Sequence, residues 1–249
     1  PILALVRSRL VALYELRRPH EANEVLTAVL RSLDSDDLED GARLLREPLS
    51  REQWQLANDV ADELLAGATT PLPLLWARGA ARCKLGRLAE AHADLSACLV
   101  EGRGDSLAVD AHDGLAEVHL ARGEAAEALD HAVQARTLGS DGTRSRELEA
   151  QALFALGRTE AGLAAVRACL DSVLPGNEIN LTALLFPLND AGLFAAVLEL
   201  AADIARQSRA GSDGPPALVE APPTTGFDPM GAQRGRILAW HQNRIRALY

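Results

Sequence analysis

The chain has 249 residues, 48% of them hydrophobic, enough to bury a substantial core as one large domain or as an array. Aromatic residues make up only 4% while Ala and Leu abound, which suits helices packed through small side chains better than a sheet sandwich. The net charge of −10 argues against non-specific nucleic-acid binding, which needs a basic face.

In chain order, Ile2 to Arg17 is apolar at helical spacing through Leu3, Val6, Leu10 and Leu13. Pro19 then suits the first turn of a second helix, which carries Ala22, Val25, Leu26 and Val29 to about Leu33. Asp34-Ser35-Asp36-Asp37 offers an N-cap and negative charge to a third helix near Leu38 to Arg46. Pro48 is expected to stop that helix. Ser50 is expected to cap the next, with Trp54, Ala57, Val60, Ala61 and Leu64 on its apolar face.

After Gly67, Pro71 and Pro73 comes the stretch around which the rest is organised, LWARGAARCKLGRLAEAHADLSACL, from Leu75 to Leu99. It reads as two antiparallel helices joined at Gly86. Gly79 lies seven residues before that turn, Ala91 five after it and Cys98 twelve after it. Small residues there permit close helix approach, and a glycine can take the left-handed conformation of a tight helix end. The turn glycine recurs as Gly123, Gly157 and Gly192. Ala116, Ala150 and Leu185 stand seven before; Ala128, Gly162 and Val197 stand five after; Ala135, Cys169 and Ile204 stand twelve after. Aligning Arg17 with Gly86 adds a first repeat with Ala22 in the place of Ala91, whereas the second repeat has a longer turn than the pattern allows.

This unit resembles the tetratricopeptide repeat (TPR), a helix–turn–helix of 34 residues. The resemblance implies an all-α fold of about six degenerate repeats over residues 1–207, a right-handed superhelical α-solenoid of antiparallel helix pairs. Pro187 is expected to interrupt the first helix of the sixth. Residues 208–230 are rich in Pro and Gly and read as a linker, since Gly211, Gly214, Pro215, Pro216, Pro222, Pro223, Gly226 and Pro229 forbid a continuous helix. Residues 231–249 read as a basic amphipathic helix, with Ile237, Leu238, His241, Ile245 and Leu248 on one face and Arg234, Arg236, Arg244 and Arg246 around it. Three destinations are open to it: a cap on the last hairpin, the groove of the array, or a partner chain.

No Gly-rich phosphate loop, nucleophile elbow or HExxH motif occurs, and the chain offers no constellation for catalysis, for a cofactor or for a metal. Cys98 and Cys169 share a repeat position facing the neighbouring hairpin and read as packing residues, while Cys83 lies on a first helix with no basic residue beyond Lys84 to activate its thiol. His112, Asp113 and His119 have a spacing of seven, not the four that puts two ligands on one helix face, and His119 falls at a bulky core position. The RGD tripeptide at Arg103–Asp105 and the sequon at Asn180–Thr182 read as products of composition. Three thinly spread cysteines argue against a disulfide scaffold and for a reducing compartment. With no signal peptide and no apolar run of membrane-spanning length, the expected location is the cytoplasm. Lys84 is the only lysine, which reads as bacterial coding bias, and the start at Pro1 fits a processed chain or a piece of a longer one.

In TPR proteins ligands lie along the concave face of the first helices. Resemblance places Trp76 and Ala80 there, then Asp110, Asp113 and Glu117, then Arg144, Glu147 and Gln151, with Lys84 and Asp190 near the turns. The middle of that face is acidic, and the Lys/Asn set that clamps acidic chaperone tails is missing. The expected function is a non-catalytic scaffold binding a protein or peptide, possibly a basic one, with no nucleic acid or membrane partner. The alternative is a substrate-recruiting arm of a larger bacterial enzyme, such as a glycosyltransferase or modification enzyme. A peptide-sensing regulator would need a DNA-binding helix-turn-helix, which is not found.

Overall fold

The computed structural model describes residues 2–66, 72–101, 105–139, 143–171, 192, 193, 195–197, 199 and 200. Among them the chain is all-helical, with eleven α-helices, one 3-10 turn and no strand. The helices are α1 (Ile2–Glu15), α2 (Pro19–Ser32), α3 (Ser35–Ala42), α4 (Arg46–Ser50), α5 (Trp54–Leu65), α6 (Leu72–Lys84), α7 (Leu88–Glu101), α8 (Asp105–Arg122), α9 (Ala125–Thr137), α10 (Thr143–Ala155) and α11 (Thr159–Asp171). A 3-10 turn, Arg43–Leu45, joins α3 to α4. Sequential helices pack as pairs, α1 with α2, α4 with α5, α6 with α7, α8 with α9 and α10 with α11. The chain divides into two compact units, Pro1–Ser140 and Asp141–Tyr249. That boundary falls inside the stretch read from sequence as one solenoid.

Five of the inter-helix turns are the same turn. In each, one residue has positive φ: Arg17 (56°), Glu52 (61°), Gly86 (77°), Gly123 (78°) and Gly157 (70°). Its own N–H donates to the carbonyl three residues back. The next N–H donates to the carbonyl five residues back, Arg18 to Leu13, Gln53 to Pro48, Arg87 to Arg82, Glu124 to His119 and Arg158 to Leu153, each at 2.9 Å. This double closure satisfies carbonyls that the helix end leaves without partners. The following helix then starts on the carbonyl of that same residue, which accepts from the N–H of Ala22, Ala57, Ala91, Ala128 or Gly162. The five positive-φ residues are 35, 34, 37 and 34 apart.

Glu52 corrects the reading of the second repeat, whose turn is no longer than the others. Pro48 does not stop the helix. It lies in the first turn of α4, where its missing N–H has no helical partner to lose, and it is buried. Ser50 belongs to α4 and donates from Oγ to the carbonyl of Glu47 at 2.8 Å, so it does not cap α5. The cap expected at Asp34 is present, its side chain accepting from the N–H of Asp37 at 3.0 Å. Gly192, expected in a turn, is helical together with Leu193. Glycine permits the left-handed conformation without demanding it, so a spacing of 35 was insufficient. Pro187, Asp190, the RGD and sequon positions before Asp105 and at 180–182, the linker 208–230 and the helix 231–249 lie outside the described residues.

The first unit is packed through small-against-large contacts. Leu95 of α7 is fully buried, and it reaches both neighbouring first helices at glycines. A Cβ on Gly79 of α6 would stand 2.8 Å from its Cγ, and one on Gly114 of α8 would stand 3.0 Å from its Cδ atoms. The first distance is shorter than real Cβ atoms show and the second is tighter than nearly all of them, so the glycines favour the close approach of α6 and α8 to α7. In the second unit the ring of Phe154 occupies the space a Cβ on Gly162 would need, 2.6 Å from its Cε1. On α1 the corresponding outer face is uncovered: Leu5 is 73% exposed and Ala12 is exposed, where Leu74, Ala81, Ala111 and Val118 in equivalent places are fully buried.

Candidate functional site

Counting back from the turn residues gives each first helix the same outward positions, thirteen, ten and six before. In the second repeat the last of these is Arg46 on α4, which becomes visible once Glu52 is known to be the turn. Arg46 stacks its guanidinium over the ring of Trp76 on α6, 4.3 Å from the centroid. It also forms a bidentate ion pair with Asp110 on α8. Cation–π attraction and the paired carboxylate hold the long side chain across three successive first helices. Its side chain is still 48% exposed, so this ledge is open to solvent.

Beside it, Lys84 of α6 pairs with Glu117 of α8, and Asp113 lies between Asp110 and Glu117 on the same helix, half-buried. The structure places Trp76, Lys84, Asp110, Asp113 and Glu117 on α6 and α8 of the first unit. It also changes their electrostatics, because Arg46 and Lys84 from the preceding hairpins pair with Asp110 and Glu117. The surface is a mixed-charge ladder with one aromatic plane. In the second unit Arg144 pairs with Glu147 at 3.3 Å, and Glu147 is buried, with Gln151 half-buried one turn on.

A second polar cluster joins α5, α6 and α7. Arg78 donates to both oxygens of Asp94 at 2.9 and 2.7 Å and to Asp62 at 2.8 Å. Arg82 donates to Asp94 at 2.8 Å, to Asp62 at 3.1 Å and to Asn58 at 3.2 Å. Asp94 is only 6% exposed, and its hydrogen bonds hold the Arg78 guanidinium above its ordinary pKa against the opposing effect of burial. Among the described residues no buried side-chain nitrogen or oxygen lacks a partner, so this network is a completed structural joint.

Four of the six histidines, scattered in sequence, lie together in space. His92 of α7, His119 and His112 of α8 and His131 of α9 form a continuous row. His92 meets His119 edge to face at 5.4 Å, His119 stacks on His131 at 5.3 Å, and His131 approaches His112 at 5.1 Å. His119 is buried, as expected, and its Nδ1 bonds Glu124 at 2.6 Å; the carboxylate can only accept, so that nitrogen carries the proton. No group of three or more His, Cys, Asp or Glu among the described residues is arranged to hold a metal ion.

Cys98 and Cys169 are buried in equivalent places and turn their thiols toward the carbonyls of Leu72 and Thr143, at 3.6 and 3.7 Å. Burial pushes the Cys169 thiol up to about 11, away from nucleophilic use. No helix among the described residues is long and apolar enough to cross a membrane. No protein-family model matches the chain, and no curated protein sequence matches it.

Proposed function

We propose that the chain is a TPR-like right-handed α-solenoid that acts without chemistry of its own, binding a protein or peptide partner along the face of its first helices. The observation that supports this reading is the identity of the five turns, each closing a helical hairpin in the same way, together with the surface that three first helices share within the first unit. On that surface Arg46, Trp76 and Asp110 come from three different first helices and form one ledge. Because Asp110 and Glu117 are paired with Arg46 and Lys84, the partner is read by shape and aromatic contact more than by a bare negative field.

The test uses cross-linking capture from cell extract, followed by titration of the recovered partner. Replacing Trp76, Asp110, Asp113 and Glu117 by Ala, Asn, Asn and Gln should weaken binding at least tenfold while far-ultraviolet circular dichroism is unchanged. Unaltered affinity in that variant would move the binding site off this face.

A further inference from the structure

We propose that the row of four imidazoles makes the packing of α7, α8 and α9 an acid-sensitive joint, tight while the rings are neutral and loosened as they take up protons. The geometry of its central pair carries the idea. His112 and His131 have their Nδ1 atoms 2.9 Å apart and their ring centroids 5.1 Å apart. The difference is about two ring radii, so the two nitrogens point at each other. Only one proton fits between them, one ring donating and the other accepting. A proton on both nitrogens would set N–H against N–H and open the contact between α8 and α9.

The rest of the row adds to this cost. His131 lies between His112 and the stacked ring of His119, and His119 also touches His92, so each new charge forms beside another imidazole. The charged groups around them do not supply a matching number of anions. Glu124 already serves His119 and Arg122, and Arg122 further opposes a charge on His92. Asp130 of α9 is the carboxylate acting on His131, and it is exposed. On α6, Arg82 and Lys84 face Asp62, Glu90 and Asp94, and Glu117, respectively. Burial lowers His92, His112 and His131 from the ordinary imidazole value, and His131, beside His112 and His119, falls from 6.5 to about 4.

The sign follows from linkage. A histidine whose folded value is depressed binds fewer protons folded than open, so it costs nothing above pH 6.5 and destabilises the closed joint increasingly as pH falls toward 4. At pH 5 His131 alone would favour the open form by about 30-fold, and by about tenfold once its partial exposure is allowed for. The joint is a property of the packing and would exist whatever the chain binds.

Native-state amide exchange on the full chain at pH 7.5 and pH 5, corrected for intrinsic rates, reads the opening directly. Protection in α8 and α9 should fall about tenfold more than in α1 and α2, and His131→Gln should remove most of that excess. Equal changes in both regions, or an undiminished excess in the variant, would overturn the proposal. Should that variant fail to fold, carbon-detected titration of the wild-type histidines decides: His131 must titrate well below 6.5, and its titration between 6 and 7 would refute the joint.

Discussion

The five equivalent turns allow a stability experiment in which side-chain contacts are nearly absent. Gly86, Gly123 and Gly157 sit at positive φ with nothing within 4 Å of where a Cβ would stand. Arg17 and Glu52 hold the same conformation with exposed L side chains. Left-handed backbone costs an L residue roughly 1–2 kcal/mol. Glycine avoids that cost but loses about 0.4–1 kcal/mol through its freer unfolded chain. Glu52→Gly and Arg17→Gly should therefore each stabilise the chain by about 0.5–1 kcal/mol, and Gly86→Ala should destabilise it by a similar amount. The two glycine variants lie in separate turns and should add, giving a combined rise of about 2–8 °C in Tm for a chain of this size. Urea unfolding followed by circular dichroism measures this, provided the slope m is unchanged between variants. A lower midpoint for Glu52→Gly, or a neutral Gly86→Ala, would mean that the turns are not governed by backbone conformation.

Other substitutions probe the packing. Gly79→Leu would drive a side chain into Leu95 and should cost on the order of 1–3 kcal/mol, read as a lower urea midpoint. Asp94→Ala leaves Arg78 and Arg82, whose side chains are only 18% and 13% exposed, without the more buried of the two carboxylates they share, and should destabilise by about 3 kcal/mol. A loss below about 1 kcal/mol would show that water replaces the carboxylate freely. Native thiol labelling should modify Cys83 well before Cys98 and Cys169, which should react only on unfolding.

Much of the local architecture was legible because it is written in conformational requirements. A glycine at the left-handed position leaves a mark in sequence, and Gly86, Gly123 and Gly157 are where the period places them. Arg17 could be aligned because its neighbours kept the pattern. Glu52 could not, since the 3-10 turn at Arg43–Leu45 breaks the periodicity before it and no glycine marks the place. Missing that turn also hid Arg46, the residue that joins Trp76 to Asp110. Gly192 shows the opposite error, a spacing match without the conformation. The histidine row was illegible for another reason: its members lie 20, 7 and 12 residues apart on three helices. Only distances counted from the turn, His92 six after Gly86, His119 four before Gly123 and His131 eight after it, could have brought them together.

The arginine pair of α6 bears on how unit one comes apart. A helical array can melt hairpin by hairpin when each repeat is held mainly by its own contacts, or in blocks when neighbours are strongly coupled. Arg78 and Arg82 grip Asp62 on one side and Asp94 on the other, so separating α6 from either neighbour strips both guanidiniums of a carboxylate. That shared joint couples the three helices, and amide protection should be lost from α5, α6 and α7 together.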